Sequence, residues 1–404
     1  MRTKKLLSAL ALACLSVVLS AVLFPAAWAA PKYTILHGFT GGKDGGYLQG
    51  SLTLDDKGNV YGATFLDTIF EVSPRSGGGW HFQLLLTLDN GSGANGGMLL
   101  HDGELWGTTQ ACCPSGYGEV FKLSTAQGRW KEAVIYHFHP PKPVGAPWDG
   151  PIMDKAGNLY GTAGSAYELY PGSDSWKLTV LHKFPSFDGD GAAPYAGLVM
   201  DAVGNLYGTT NYGGGSKSCD AGCGTAYELS PEGDGKWKET ILHRFGSSPR
   251  DGASPSLGAL AIDSNGNLYG TTSGGGQPNK GQCGGTIFKL TPEAGGKWKE
   301  SILYGTFGEG VGGCEPGGGV VLDNAGNLYG TTIAGGDPNC GCGVVYELSP
   351  GKDGKWTYTV LHTFVGSDGA QPDANLVIDD KGNLYGTTLT GGPGGVGVAF
   401  EITP

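Results

Sequence analysis

Apolar residues beyond position 30 come in short runs, separated by clusters of Gly, Asn, Asp and Ser, and one order of runs recurs. Residues 260–303 show it. Leu260-Ala-Ile-Asp263 is an apolar stretch ending in Asp and predicts a strand, a. Ser264-Asn265-Gly266-Asn267 predicts a tight turn whose Gly and Asn take the positive φ that hairpins require. Leu268-Tyr-Gly-Thr-Thr272 predicts strand b. After a Gly-rich loop, Thr286-Ile-Phe-Lys-Leu-Thr291 alternates outward and inward residues as strand c. Pro292 closes it, and strand d starts at a tryptophan, Trp298-Lys-Glu-Ser-Ile-Leu303. A d–a loop, often Asp-Gly-x-x-Pro as at Asp251–Pro255 and Asp368–Pro372, leads onward.

The strand b phrase occurs seven times. It reads Gly-Asn-Leu-Tyr-Gly-Thr-Thr at Gly204, Gly266, Gly326 and Gly382, with variants at Gly58, Gly103 and Gly157. The copies start 45 to 62 residues apart, which means one structural unit with loops of variable length. Four antiparallel strands in each of seven units predict an all-β fold, a seven-bladed β-propeller. The ends agree with a closed ring. Tyr33-Thr-Ile-Leu-His-Gly-Phe39 is a d-type strand with no a, b or c before it, and Val398-Ala-Phe-Glu-Ile-Thr403 is a c-type strand with no d after it. The N-terminal strand is therefore expected to complete the last blade, leaving no unpaired seam. A β-solenoid stacks openly and would have no use for complementary ends.

Residues 1–29 differ from the rest. Arg2, Lys4 and Lys5 precede an apolar run to Phe24, and Ala27-Trp28-Ala29 offers a small-x-small cleavage pattern, so 1–29 is read as a signal peptide and 30–404 as one propeller domain. A retained anchor and a lipoprotein at Cys14 are the competing readings. Ala11-Leu12-Ala13 lacks the leucine expected three before the cysteine, and the apolar run continues past it. Cleavage would leave a secreted or periplasmic chain with no further membrane segment.

Glycine is 76 of 404 residues, a level that without periodicity would suggest disorder. Here the seven phrases alone place two glycines each. Losing Arg2, Lys4 and Lys5 takes the formal charge from −11 to −14, and basic runs are absent, so a nucleic-acid partner is not expected.

The strand b phrase, a following Gly-Gly, and then Gly-x-x-Phe/Tyr-Glu/Lys-Leu-Ser/Thr-Pro resemble the GloVer tandem repeat of exported bacterial proteins. The resemblance covers nearly all of the mature chain. It implies an extracellular repeat protein and transfers no activity and no catalytic residues. Members often carry a C-terminal sorting or anchoring segment, whereas this sequence stops at Pro404 with strand c, which favours a freely soluble form.

Eight cysteines follow the leader: Cys112, Cys113, Cys219, Cys223, Cys283, Cys314, Cys340 and Cys342. All fall in b–c or d–a loops. In an oxidising compartment they are read as disulfide candidates; zinc is disfavoured because no paired CxxC or spaced His pair occurs. Cys219 with Cys223 would staple one loop and Cys283 with Cys314 would join two, while Cys112–Cys113 would be a strained vicinal bridge. Asp263-Ser-Asn265-Gly-Asn267 looks like the start of a calcium loop, but equivalent turns lose the middle ligand, so a hairpin with Asp as acceptor is preferred. No metal or cofactor is expected. His37, His182, His243 and His362 recur near the end of strand d and are read as packing or hydrogen-bonding elements. The strand b aromatics and strand d tryptophans are read as interblade core.

Function is expected where the repeats differ. The b–c and d–a loops share one face, predicted to be tall over units four to six and low over one and three. A cleft there lined by Asp188, Asp190, Asp251 and Asp368, with Trp148, Tyr195 and Tyr212, would suit sugar rings or cationic peptides; the bland reading is that the Asp-Gly pairs shape turns. A binding or scaffold module for polysaccharide or an extracellular protein is preferred. The alternative is a carbohydrate hydrolase or lyase using a carboxylate pair. No Gly-x-Ser-x-Gly elbow, HExxH or phosphate loop appears.

Overall fold

The computed structural model describes residues 30–88, 93–94, 96–110, 116–139, 145–184, 189–255, 257–276, 283–305 and 312–404. The regular elements among them are strands, and seven antiparallel sheets form the blades. Blade 1 runs Thr53–Leu54 (a), Val60–Ala63 (b), Thr68–Pro74 (c) and Trp80–Thr87 (d). In blade 4 the same places are taken by Val199–Met200, Leu206–Thr210, Thr225–Gly233 and Lys236–Arg244. Blade 7 takes a, b and c from Val377–Ile378, Leu384–Thr387 and Val398–Thr403, and its strand d is Lys32–Gly38. That last pairing sets Tyr33 opposite Ile402 and Ile35 opposite Phe400, closing the ring as the chain ends predict.

Each residue of the recurring phrase has a defined task. The first glycine holds φ between +75° and +94° in all seven copies. In six blades the Asp of strand a accepts two backbone N–H groups on Oδ1, and on Oδ2 the Asn amide and the Tyr hydroxyl. In blade 5 these are Asn265 N and Asn267 N at 2.8 and 2.9 Å, Asn267 Nδ2 at 2.7 Å and Tyr269 Oη at 3.1 Å. Both carboxylate oxygens are thus engaged within the hairpin, the acceptor role preferred for this turn over calcium ligation. Blade 2 uses a two-residue turn, Asp102-Gly103, with both φ positive.

The second glycine lies against the far end of the strand c aromatic. A Cβ on Gly270 would stand 2.5 Å from Phe288 Cζ and 2.7 Å from a Leu260 methyl, and the other six copies are equally crowded. In blades 2, 3, 5 and 7 the first threonine reaches the next blade, as where Thr108 Oγ1 donates to the carbonyl of Asp149 (2.9 Å) and Thr271 Oγ1 to that of Gly318 (2.7 Å). The second caps the b–c link, Thr272 Oγ1 accepting the Thr286 N–H at 3.0 Å.

Packing between blades is equally regular. Among the described residues there are seven apolar clusters, each drawing on two neighbouring blades, including one shared by blades 7 and 1. The strand d tryptophan meets the strand b aromatic of the preceding blade, as in Trp80–Tyr385, Trp176–Trp106, Trp237–Tyr160 and Trp298–Tyr207, with ring centroids 5.8–6.2 Å apart.

Every c–d ladder shifts register beside the strand c aromatic, and that of blade 4 shifts again between Pro231 and Gly233. In blade 4 Tyr227 pairs with Ile241 and Ala226 with His243, so Leu242 is the extra residue. Residues four apart on a regular strand share a face, but this bulge sends them apart. Glu239, two past the tryptophan, faces blade 3, while His243, six past it, faces blade 5.

This packing makes the strand b glycine the most demanding position of the repeat. Gly270→Ala is expected to destabilise the protein by about 1–3 kcal/mol through overpacking, whereas Gly77→Ala, with open space around it, leaves the denaturation midpoint unchanged or slightly raised. Equal midpoints for the two variants in chemical denaturation would contradict this account of the phrase.

Candidate functional site

Strand a begins at the propeller axis, and the d–a segment before it arrives from the loop face. Glycines and small residues let these segments crowd together there: a Cβ on Gly96 would stand 2.6 Å from the backbone of Asp149 and Gly150. The Asp149 carboxylate accepts the N–H groups of Gly97 (3.1 Å) and Gly150 (2.7 Å), and Asn375 Oδ1 accepts that of Gly319 (2.6 Å). These two side chains tie neighbouring segments into a floor. Burial raises the Asp149 carboxyl above the ordinary carboxylate range, against the lowering effect of its backbone donors.

Above the floor lies a cavity of about 40 Å³, lined by Gln49, Trp148, Tyr195, Leu257 and Asp373 with Ser51 and Asn375. Five of these residues share one place, the fourth residue ahead of strand a. Around the ring that place reads Gln49, Trp148, Tyr195, Leu257, Gly317 and Asp373, with blade 2's Asn95 outside the described residues. A scaffold built on seven near-identical units thus presents a different residue at this place in each of the six blades where it is described. Trp148 and Tyr195 pack at 4.8 Å between centroids, and Trp148 remains 41% exposed. One Asp373 oxygen is buried without a hydrogen-bond partner, and burial pushes the carboxyl up to about 7. Gln49 also borders an apolar groove of about 360 Å³ formed with Tyr47, Phe65, Leu66 and Leu389. Tyr47 and Phe65 are 39% and 47% exposed there.

The remaining sequence candidates lie elsewhere on the face. Asp190, Asp251 and Asp368 each sit beside the histidine of their own strand d, at 3.4, 3.3 and 3.0 Å from His182, His243 and His362. They occupy three different blade junctions and do not share a wall with Trp148 and Tyr195. Tyr212 lies in a short ribbon, Tyr212–Gly213 against Gly191–Ala192, on the long b–c link of blade 4. Asp188, Cys112 and Cys113 lie outside the described residues. Disulfides join Cys219 to Cys223, Cys283 to Cys314 and Cys340 to Cys342, with Cα separations of 5.2–5.6 Å. The first and third each brace one b–c link, and the second ties the link of blade 5 to the d–a segment of blade 6.

The four strand d histidines are junction elements. His37 stacks on Phe82 and His362 on Tyr33, each at 3.9 Å. His182 and His243 instead face Glu239 and Glu300 of the following blade at 3.6 and 3.5 Å. Burial, with a neighbouring aspartate, pushes both glutamates up to about 7; for Glu300 the facing His243 works against the rise. The sequence reading missed Gln49, Asp149, Leu257, Asp373 and Asn375. Aligning the d–a segments on the start of strand a, rather than searching for shared motifs, exposes the first four as differing between blades.

The chain belongs to the Gloeobacter/Verrucomicrobia repeat family, which matches residues 19–218, 163–304 and 216–404. No curated protein matches the sequence. Among solved structures it is similar to YCF48 from Cyanidioschyzon merolae, at 13% identity over 93% of this chain and 99% of that one, with a TM-score of 0.53. It is also similar to YCF48 bound to D1 peptide, at 12% identity over 93% and 95% with a TM-score of 0.50. A luciferin-regenerating enzyme aligns at 14% identity over 93% and 96% with a TM-score of 0.45. At these identities the likeness is one of fold.

The buried Asp373 carboxyl has a measurable signature. Its pKa is raised from 3.8 to about 7 on folding, so the folded state holds the proton more tightly. Its contribution to stability is therefore full below about pH 4 and is lost as pH rises through 7. Asp373→Asn should raise Tm by a few degrees at about pH 8 and leave it unchanged at about pH 3. A variant no more stable than wild type at the higher pH would contradict the burial.

Proposed function

We propose that this member of the Gloeobacter/Verrucomicrobia repeat family is an exported binding module that captures an extended polypeptide segment of an extracellular partner on its loop face. The observation that carries the reading is the axial position four residues ahead of strand a. The repeat fixes nearly everything around it, yet this position differs from blade to blade, as a recognition surface requires. The cavity is far below the roughly 300–1,000 Å³ of sites that enclose a small molecule, so it suits a single inserted side chain. The apolar groove through Tyr47, Phe65, Leu66 and Leu389 extends the surface in one direction, as an extended chain would need. Trp148 and Tyr195 supply the rigid aromatic contacts that dominate such interfaces.

YCF48, which shares the fold, is described bound to the D1 peptide. The leader-like sequence of residues 1–29 and the three disulfides among the described residues support export. The surplus of acidic over basic residues favours a cationic segment over an acidic one. For hydrolysis of a glycan, two carboxyl groups must flank one bond. Asp190, Asp251 and Asp368 are each engaged with a separate histidine, which supports binding over catalysis.

The test is retention of the purified protein on a peptide array and a glycan array in parallel. Retention on peptides is expected, falling at least ~10-fold in Trp148→Ala and Tyr195→Ala with Tm unchanged. Retention on glycans alone, turnover of any glycan, or peptide binding indifferent to both variants would overturn the proposal.

A further inference from the structure

Two neighbouring junctions carry a group of side chains found at no other junction among the described residues. At the junction of blades 3 and 4, His182, Asp190 and Glu239 converge; at the junction of blades 4 and 5, His243, Asp251 and Glu300 do. In each group one imidazole nitrogen and two carboxylate oxygens lie within 4.8 Å of one another. His182 Nε2 stands 3.4 Å from Asp190 and 3.6 Å from Glu239, and His243 Nε2 stands 3.3 Å from Asp251 and 3.5 Å from Glu300.

We propose that these are two divalent transition-metal sites, His182–Asp190–Glu239 and His243–Asp251–Glu300, each with its fourth position left to water. Ligand atoms held at about 2.0–2.2 Å from a tetrahedral ion stand roughly 3.4 Å from one another, close to the 3.3–3.6 Å between each imidazole and its two carboxylates. The other junctions provide the comparison. Where an aromatic replaces the glutamate, the histidine closes onto its aspartate as an ordinary hydrogen bond, 3.1 Å for His37–Asp44 and 3.0 Å for His362–Asp368. With the glutamate present the corresponding distances are 3.4 Å for His182–Asp190 and 3.3 Å from His243 to both Asp251 oxygens.

Donor atoms are left over as well. His182 Nε2 and the Oε1 atoms of Glu239 and Glu300 are buried without hydrogen-bond partners. The second oxygen of each aspartate is anchored by a backbone N–H, Asp190 Oδ1 by Gly191 at 2.6 Å and Asp251 Oδ2 by Ser247 at 2.8 Å. The other Asp190 oxygen faces His182, and both Asp251 oxygens stand 3.3 Å from His243 Nε2; backbone anchoring of this kind orients metal ligands. Arg244 lies near Glu239, but its guanidinium donates to the Gly189 carbonyl. One imidazole with two carboxylates suits zinc and its first-row neighbours better than calcium. The competing arrangement holds each junction by a proton shared between the two carboxyl groups, with no ion.

The experiment uses tag-free protein stripped with a chelator, then titrated with Zn²⁺ by calorimetry and with Co²⁺ by visible absorption. Wild type should take up two Zn²⁺ per chain and give the d–d bands of four-coordinate cobalt. Glu239→Gln and Glu300→Gln should each retain one ion, and the double variant none at concentrations that saturate wild type. Asp190→Asn and Asp251→Asn provide independent variants if either glutamine substitution fails to fold. His37→Phe, at a junction lacking the second carboxylate, should keep both ions. No saturable uptake by wild type, or uptake that the double variant retains, overturns the proposal; a single variant that still takes up two ions overturns it for that variant's own junction.

Discussion

Six residue pairs between Lys32–Gly38 and Val398–Thr403 hold the two ends of the chain in one sheet. Without them blade 7 would expose the edge of its strand c. The apolar cluster shared by blades 7 and 1, with Leu36, Phe39 and Ala399 at its centre, would lose one of its walls. An open array of blades exposes two such ends, and unpaired strand edges invite association with other chains. Closure also brings seven d–a segments to one axis, so the crowding of Gly96, Gly258 and Gly318 and the small cavity above them follow from the ring being complete. The loop face inherits its geometry from that seam.

Within the ring, labour divides between repeated and unrepeated residues. The phrase residues turn the hairpin, pack beneath the strand c aromatic, hook the next blade and cap the b–c link. Most of their polar groups are used up in these tasks, with Trp106 Nε1 and Thr331 Oγ1 buried without a partner. The bulge in strand d lets one strand serve both of its junctions: Glu239 looks back at blade 3 and His243 forward to blade 5. The junction pair can therefore change chemistry without changing the backbone. Stacked rings serve at His37–Phe82, His362–Tyr33 and Tyr304–Tyr358, and ionisable groups at two others.

Much of this was legible in sequence because blades repeat and their strands are local. The turn at Ser264–Asn267, the Gly270 position, the strand d tryptophans and the complementary ends needed only short windows of sequence. The histidine reading followed from repetition alone, since a residue recurring in separate blades cannot converge on one site. What sequence did not reveal depends on contacts between blades across loops of unequal length. Trp148 and Tyr195 drew notice as exposed aromatics, but Gln49, Leu257 and Asp373 carry no motif and meet only at the axis. The bulge is silent because Leu242 continues an apolar run, and regular alternation would put Glu239 and His243 on one face. Asp190, Asp251 and Asp368 look alike in sequence, and the structure separates them by what the next blade places opposite each histidine.

Amide hydrogen exchange on the intact protein tests ring closure most directly. If the N-terminal strand is an integral part of blade 7, the amides of 33–37 exchange as slowly as those of Ala399–Ile402, and both exchange only through global unfolding. Rapid exchange across 33–37, with the strand c ladders of blades 1 to 6 still protected, would show that the ring is open at its seam.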